Sequence, residues 1–269
     1  MTKRSADTRK GAQVVHKIFG LLREVSESRG RGTRLTAIAE AAGLPSSTVH
    51  RLLTALLAEG AIERDEATRG FRLGPTLYEF GLAAAPRVDI RRFCSAALDR
   101  IAAASGDSAY LNCRSGFHAL CLDRREGRHP LQAKSYAIGN RRPLGVGATA
   151  LAVLASMPTD EVDAVLEANA SRYRRYGLTA DKVRSAVEAT KARGFAVSSG
   201  RFVARYRGVG LAIGNGVGGI PVALSVIAIE ERLDVHGIER TVALLRREEQ
   251  ALQALLKTEP PPPLRGHAR

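Results

Sequence analysis

The stretch of residues 35–57 constrains the fold most, because it has the pattern of two short helices joined by a tight turn. Thr36 is expected to cap the first helix, and Ala39 is small where a second helix must cross closely. Gly43 ends that helix, where a positive φ is usual, and Pro45 suits the first turn of the next helix. Apolar residues then recur at helical spacing at Val49, Leu52, Leu53, Leu56 and Leu57. The pattern predicts a helix-turn-helix.

The other side of this second helix is polar and carries hydroxyls followed by basic residues, at Ser46, Ser47, Thr48, His50, Arg51 and Thr54. Small hydroxyls at a helix N-terminus are well placed to bind phosphate, together with the backbone N–H groups there. Arg51 is placed to read a guanine with two hydrogen bonds. These residues and Thr36 are therefore predicted to bind DNA. An ordinary helical hairpin with a solvated polar face, His50 included, is the alternative.

A wing is expected after this helix. Residues 62–64 and 70–73 alternate as two short paired strands. Arg69, near the tip of the turn between them, is positioned to enter a minor groove, although a merely solvated arginine fits equally well. We predict a winged helix-turn-helix domain over residues 12–74, preceded by a flexible basic arm over residues 1–11.

The remainder of the chain divides into a linker helix over residues 75–87, a second domain over 88–257 and a flexible Pro-rich tail over 258–269. In the second domain, helical patterns flank strand-like runs, one of them at residues 132–137, and most strands are joined as neighbours. This order predicts an α+β fold with an antiparallel sheet.

The charge of the chain is compatible with a nucleic-acid partner. The formal net charge is +14 and the isoelectric point is about 10.4, and such an excess of base favours a polyanion. The basic residues are spread along the chain, however, and a protein that is simply Arg-rich would show the same excess. The assignment to DNA therefore depends on the motif.

The chain shows no pattern typical of a secreted, membrane or metal-binding protein. Three cysteines without framework spacing indicate reduced thiols. The N-terminus is polar and charged and lacks the apolar core of a signal peptide, and the most apolar stretch, residues 146–157, is far shorter than a spanning helix. We therefore expect a cytoplasmic protein without a membrane partner. The cysteines and histidines lack metal-ligand spacing, so no metal site is predicted.

An enzyme that transforms a small molecule is the alternative from another class. The Gly-rich segments at residues 208–210 and 214–219 do not give a dinucleotide-binding fingerprint, and the second segment fits a hairpin turn. Cys113 and Cys121 could act as nucleophiles, but they are more typical of buried strand thiols. No catalytic residue and no cofactor is predicted.

The sequence resembles the IclR family of transcription regulators, and the resemblance covers nearly all of residues 12–256. It is carried in the N-terminal domain by residues 35–40, 43–53 and 71–75, and more weakly in the second domain by residues 139–144, 193–195 and 221–226. Membership implies a homodimer or homotetramer that reads palindromic double-stranded DNA. It also implies a GAF-like effector-binding domain that senses a small organic acid and thereby controls a catabolic operon.

An effector site is expected where residues 141–149 run from a loop into a helix. Glycines there allow a ligand to approach the backbone, and free N–H groups at the helix start favour a carboxylate. The resemblance adds positions on the late strands, so the predicted effector-binding residues are Leu144, Gly147, Ala148, Ser198, Val209, Ser225 and Ile227. Ser198 and Ile227 depart from the more polar residues of many members, which favours a larger, more apolar ligand such as an aromatic acid. The alternative is that these glycines only permit tight packing. The chain would then be a DNA-binding protein without an effector.

Overall fold

The structure is a computed structural model that describes residues 3–26, 32–84, 89–133, 136–198 and 205–258, with the backbone alone for residues 3–12. The chain forms two compact units, residues 1–86 and residues 87–269.

The N-terminal unit is a small helical domain with a two-stranded wing. Its elements are α1 (Lys3–Ser26), α2 (Leu35–Ala42), α3 (Ser46–Ala58), β1 (Ile62–Arg64), β2 (Phe71–Leu73) and α4 (Pro75–Ala84). The core of the unit contains the fully buried side chains of Leu21, Ile38, Val49, Leu53 and Ile62. Because α1, α2, α3 and β1 each supply at least one of them, α3 is held to the body of the domain by its apolar side.

Two predictions at the ends of helices are wrong. The arm at residues 1–11 is helical from Lys3 onward, and this part of the sequence holds no proline that would stop a helix. Thr36 does not cap α2, because the helix begins at Leu35 and the extended residue before it is Arg34. Residues 1–2 lie outside the described residues.

The second unit consists of one sheet with helices on both faces. Its strands are β3 (Ser108–Ser115), β4 (His118–Arg125), β5 (Arg141–Pro143), β6 (Ala196–Ser198), β7 (Tyr206–Ala212) and β8 (Val222–Ile229). Its helices are α5 (Ile90–Ser105), α6 (Ala148–Ala155), α7 (Thr159–Tyr173), a 3-10 turn (Arg174–Tyr176), α8 (Ala180–Arg193) and α9 (Val235–Thr258). The strand order is β5-β4-β3-β8-β7-β6, and every pair of neighbours is antiparallel. The predicted α+β class, a helix-turn-helix unit followed by an antiparallel α/β domain, is confirmed.

Alternate residues of the central strands point to two separate cores. Val222 and Leu224 of β8 belong to a cluster with α5 and α9, whereas Ala223 belongs to a cluster with α6, α7 and α8. All but the last residue of α6 are buried, so this helix lies inside the domain. The small residue Ala223 allows α6 to approach the sheet.

The strand predicted at residues 132–137 is wrong. Gln132 and Ala133 lie outside any strand and are bound through Ser108, whose Oγ donates to Gln132 Oε1 at 2.7 Å and accepts from the Ala133 N–H at 3.1 Å. Hydrogen bonds to a side chain thus take the place of the backbone hydrogen bonds that a strand would form here. The edge of the sheet is formed by β5. Residues 134–135 lie outside the described residues, as do residues 85–87 of the predicted linker helix and residues 259–269 of the predicted tail.

Candidate nucleic-acid interface and effector cleft

One side of α3 is exposed along its length. Ser46, Ser47, His50, Arg51 and Thr54 are exposed and Thr48 is half-buried, whereas Val49, Leu52, Leu53 and Leu56 are buried. This division places all six predicted DNA-binding residues of α3 on or beside the surface of the domain. The polar side is therefore accessible to a large partner.

The N-terminus of α3 presents backbone donors on this surface. The first intrahelical bond runs from the Val49 N–H to the Pro45 carbonyl at 3.1 Å, so the N–H groups of residues 46–48 have no partner within the helix. Gly43 adopts the predicted left-handed conformation with φ 62°. Thr54 donates its hydroxyl to the His50 carbonyl at 3.0 Å, which leaves only its oxygen available to a partner.

The turn of the wing has two acidic residues, Asp65 and Glu66, and Asp65 is partly covered. The carboxylate of Asp65 accepts hydrogen bonds from the Thr68 N–H and hydroxyl, both at 2.8 Å, and these bonds lower the pKa of Asp65. Arg72 lies 3.5 Å from the same carboxylate, while Glu66 is exposed. Arg69 is exposed with φ 53°, so its side chain stands at the tip as predicted. Thr36 is also exposed, on α2.

A second candidate site is a cleft between α6 and the sheet in the C-terminal unit. The centre of a water-sized molecule can reach about 50 Å³ of the cleft, and the empty space with the open mouth included is about 550 Å³. Four predicted residues line it: Gly147, Ala148, Ser198 and Ile227. Gly208 of β7 permits the close approach of α6, since a Cβ there would lie 3.0 Å from the Cβ of Ala148.

The other three predicted effector residues do not line the cleft. Leu144 is fully buried in the cluster around α6, and Val209 points to the opposite core, because it neighbours Gly208 on the same strand. Ser225 lies on the correct face, but its hydroxyl is 2.5 Å from the Thr149 hydroxyl and is fully buried. Its hydrogen bond is therefore made within the protein.

One end of the cleft is suited to a carboxylate. The first intrahelical bond of α6 runs from the Leu151 N–H to the Gly147 carbonyl, so the N–H groups of residues 148–150 have no partner within the helix. The guanidinium of Arg142 lies over the ring of Tyr136, 4.4 Å from its centroid, and its Nη1 would be 3.9 Å from a Cβ on Gly147. No carboxylate of the described residues pairs with Arg142.

Sequence reasoning missed half of this cleft. Arg142 and Thr149 belong to the segment predicted to hold an acid, but nothing in the sequence marked Asn112, Tyr136 or Tyr206, which also line the cleft. They come from three separate parts of the chain, and only the pairing of the strands brings them together. Ser198 and Ile227 were predicted as effector-binding residues only from the resemblance to a family. Their spacing in the sequence does not by itself indicate a binding site.

The structure offers no metal site and no reactive thiol within its described ranges. No group of three or more His, Cys, Asp or Glu side chains there is arranged to hold a metal ion. All three cysteines are buried, and burial raises the pKa of Cys94 and Cys121 to about 12. Nor does any helix of these ranges have the length and apolarity needed to cross a membrane.

Both units of the chain match domains of known proteins. Residues 14–66 match the IclR helix-turn-helix domain, and residues 82–254 match the C-terminal domain of bacterial IclR transcriptional regulators. The HTH-type transcriptional regulator KipR of Bacillus subtilis is 26% identical over 200 residues, 74% of this chain and 79% of KipR.

Solved structures share the fold. An IclR family regulator from Brucella abortus has a TM-score of 0.72 at 20% identity, covering 90% of this chain and 91% of that one. An IclR homologue from Microbacterium hydrocarbonoxydans, solved with 4-hydroxybenzoate, has a TM-score of 0.69 at 21% identity over 91% of this chain and 100% of that one. Since the two matched domains together span most of the sequence, the chain belongs to the IclR family and is a DNA-binding transcription regulator, not an enzyme.

Proposed function

We propose that this regulator binds a palindromic operator as a homodimer or a dimer of dimers and controls a catabolic operon in response to a small organic acid. The DNA contacts are assigned to Thr36, Ser46, Ser47, Thr48, His50, Arg51, Thr54 and Arg69. The effector is assigned to the cleft beside α6, and an aromatic acid is the class that fits it best.

The exposed polar side of α3 is the observation that carries the proposal. Hydroxyls and free N–H groups at the start of α3 are suited to phosphate, and His50 and Arg51 follow one turn later, where a recognition helix reaches base edges. Arg69 at the tip of the wing is exposed and suited to an adjacent minor groove. Asp65 is turned into the wing by Thr68, which reduces repulsion of the DNA backbone.

Exposed apolar side chains on α4 support self-association. The helix buries none of its residues, and its exposed side chains include Tyr78, Phe80 and Leu82. Tyr78 and Leu82 lie one turn apart on the same side of the helix, and large apolar side chains exposed together usually mark a protein interface. A two-fold dimer formed there would present two copies of α3, as a palindromic site requires.

The chemistry of the cleft supports an aromatic acid. Arg142 and the N-terminus of α6 together offer a cation and backbone donors to a carboxylate. Tyr136, Ala148 and Ile227 supply apolar and aromatic surface for a ring. The 4-hydroxybenzoate bound by the Microbacterium homologue is an acid of this class.

The test selects duplexes from a random-sequence library and measures binding by fluorescence anisotropy at moderate salt. We expect one palindromic sequence to be enriched, and an acid from a panel of benzoates and short aliphatic acids to change its affinity. Acid at a hundredfold excess over its dissociation constant should also stabilise the protein by about 2.7 kcal/mol.

Two results would contradict the proposal. If no duplex is enriched, the assignment of α3 to DNA fails. If a duplex is bound but no acid changes its affinity or the melting temperature, the chain is a DNA-binding protein without an acid effector.

A further inference from the structure

Asn112 carries a buried acceptor that no group of the described protein satisfies. This residue lies in β3, lines the cleft and is 1% exposed. Its Nδ2 donates to the hydroxyl oxygen of Tyr136 at 3.3 Å, whereas its Oδ1 is buried with no hydrogen-bond partner among the described residues. A buried acceptor without a donor is unfavourable, so this oxygen is a candidate contact for a ligand.

The neighbours of Asn112 fix the orientation of its amide. Tyr136 donates its only proton to the Ala119 carbonyl at 3.2 Å, and burial raises the pKa of Tyr136, which keeps that proton in place. The tyrosine oxygen can therefore only accept from Asn112. Turning the amide around would bring two acceptors together, so the unsatisfied atom is Oδ1.

The polar groups at the two ends of the cleft both contact one tyrosine, Tyr136. Arg142 lies over the face of the Tyr136 ring, while Asn112 binds the hydroxyl at the end of that ring. A ligand lying along Tyr136 with its carboxylate at Arg142 would direct its far end toward Asn112. Both groups contact the same side chain, Tyr136, which is itself one hydroxyl-substituted ring.

We infer that the effector is an aromatic acid that also carries a hydrogen-bond donor, a hydroxyl or amino substituent, which donates to Asn112 Oδ1. This inference rests on the proposed function, since it specifies the acid that the cleft selects. Asn112 is then a specificity-determining residue: it distinguishes a hydroxylated or aminated acid from the same acid without the donor.

The experiment measures binding of benzoate and of the 2-, 3- and 4-isomers of hydroxybenzoate and aminobenzoate by calorimetry, using the full chain. One donor-bearing isomer should bind about tenfold more tightly than benzoate, as expected for one net hydrogen bond in a buried site. The variant Asn112→Leu should lose this preference and bind that isomer only as tightly as benzoate.

Asn169 offers a matched control. It is also fully buried with an unpartnered Oδ1, and its Nδ2 donates to the Phe117 carbonyl at 2.7 Å, but it does not line the cleft. The variant Asn169→Leu should therefore lose stability as Asn112→Leu does, yet keep the preference for the donor-bearing acid.

The outcomes separate the inference from the proposed function. If benzoate and all substituted acids bind equally, or if Asn112→Leu keeps the preference, the inference is wrong and the acid effector stands. If none of these acids binds the wild-type protein, both the aromatic effector and the inference are overturned. The comparison of ligands on the wild-type chain decides the matter even if Asn112→Leu does not fold.

Discussion

Two helices of this molecule begin with a similar set of donors but differ in burial. In α3 the first residues, Ser46 and Ser47, are exposed, whereas in α6 the corresponding residues, Ala148 and Thr149, are buried beneath a cleft. Both helix starts favour an anion, because their N–H groups point outward and the helix dipole is positive there. We propose that burial decides which anion can reach them: the exposed start of α3 admits the phosphates of a duplex, and the cleft at α6 admits one small acid.

An added negative charge should have its largest effect at α3. Ser47→Asp places a carboxylate where phosphate is expected, and repulsion of charges a few ångströms apart near a surface should weaken DNA binding by about a hundredfold or more. The measurement is anisotropy on the selected duplex. Ser171→Asp adds the same charge at an exposed position on α7 and should leave the affinity unchanged. Equal effects of the two variants would show that α3 has no special role.

A side chain at Gly147 should abolish the response to acid. Gly147 lines the cleft with φ 85°, so Gly147→Val strains the backbone by about 1–3 kcal/mol and also fills the carboxylate end. DNA binding without effector should persist.

Gly139 provides the control for strain. Its φ is 83°, and no atom lies near its Cβ position. Gly139→Val should therefore cost similar stability and keep the response. If both variants lose the response together, Gly147 serves packing and not the effector.

Removal of the cation from the cleft should weaken acid binding without affecting DNA. Arg142→Ala should lower the affinity for the acid by about 1.5–3 kcal/mol, the range for a hydrogen bond to a charged group. Arg141→Ala removes an equal charge from the adjacent residue, whose guanidinium donates to the Ser115 carbonyl at 2.8 Å, and should have little effect. Calorimetry with the preferred acid compares the affinities of the two variants. If both variants lose the same affinity, the effect comes from the net charge and not from Arg142 itself.

Arg51→Ala should reduce affinity for the selected duplex by about 1–3 kcal/mol and relax the preference at one base pair. The reason is that a bidentate contact to guanine carries both affinity and specificity. Anisotropy on the selected duplex and on single-base variants measures this. A uniform loss on every duplex would mean that Arg51 contacts only phosphate.

The smallest effect is expected at the thiols. Burial raises the pKa of Cys94 and Cys121 to about 12 and that of Cys113 to about 11. At a pH near 8.5, about the usual pKa of a thiol, each of the three therefore stays protonated. Alkylation of the native protein should be negligible there, rising only with unfolding or strongly alkaline pH. Rapid labelling of Cys121, which packs beside Tyr110 and Tyr136, would show that the sheet beneath the cleft opens.

Prediction from sequence succeeded where one local segment contains the whole pattern. The spacing of Gly43, Pro45 and the leucines of α3 specifies the helix-turn-helix because each residue acts within a few positions of the others. The cleft depends on β3, β5, β7 and β8 pairing across long stretches of chain, so Asn112 and Tyr136 gave no signal. Val209 was assigned to the wrong face of its strand, an error of one residue in a structure whose faces alternate.

DNA cleavage from a tethered reagent shows whether the polar side of α3 lies against a duplex. With all native thiols buried, Ala58→Cys introduces one exposed thiol a turn beyond Thr54, and an iron chelate can be attached to it. We expect cleavage of the selected duplex to be confined to the bound site, and no cleavage from Ser171→Cys on α7. Equal cleavage from both positions, or none from α3 while the duplex is bound, would mean that the polar side of α3 does not face the duplex.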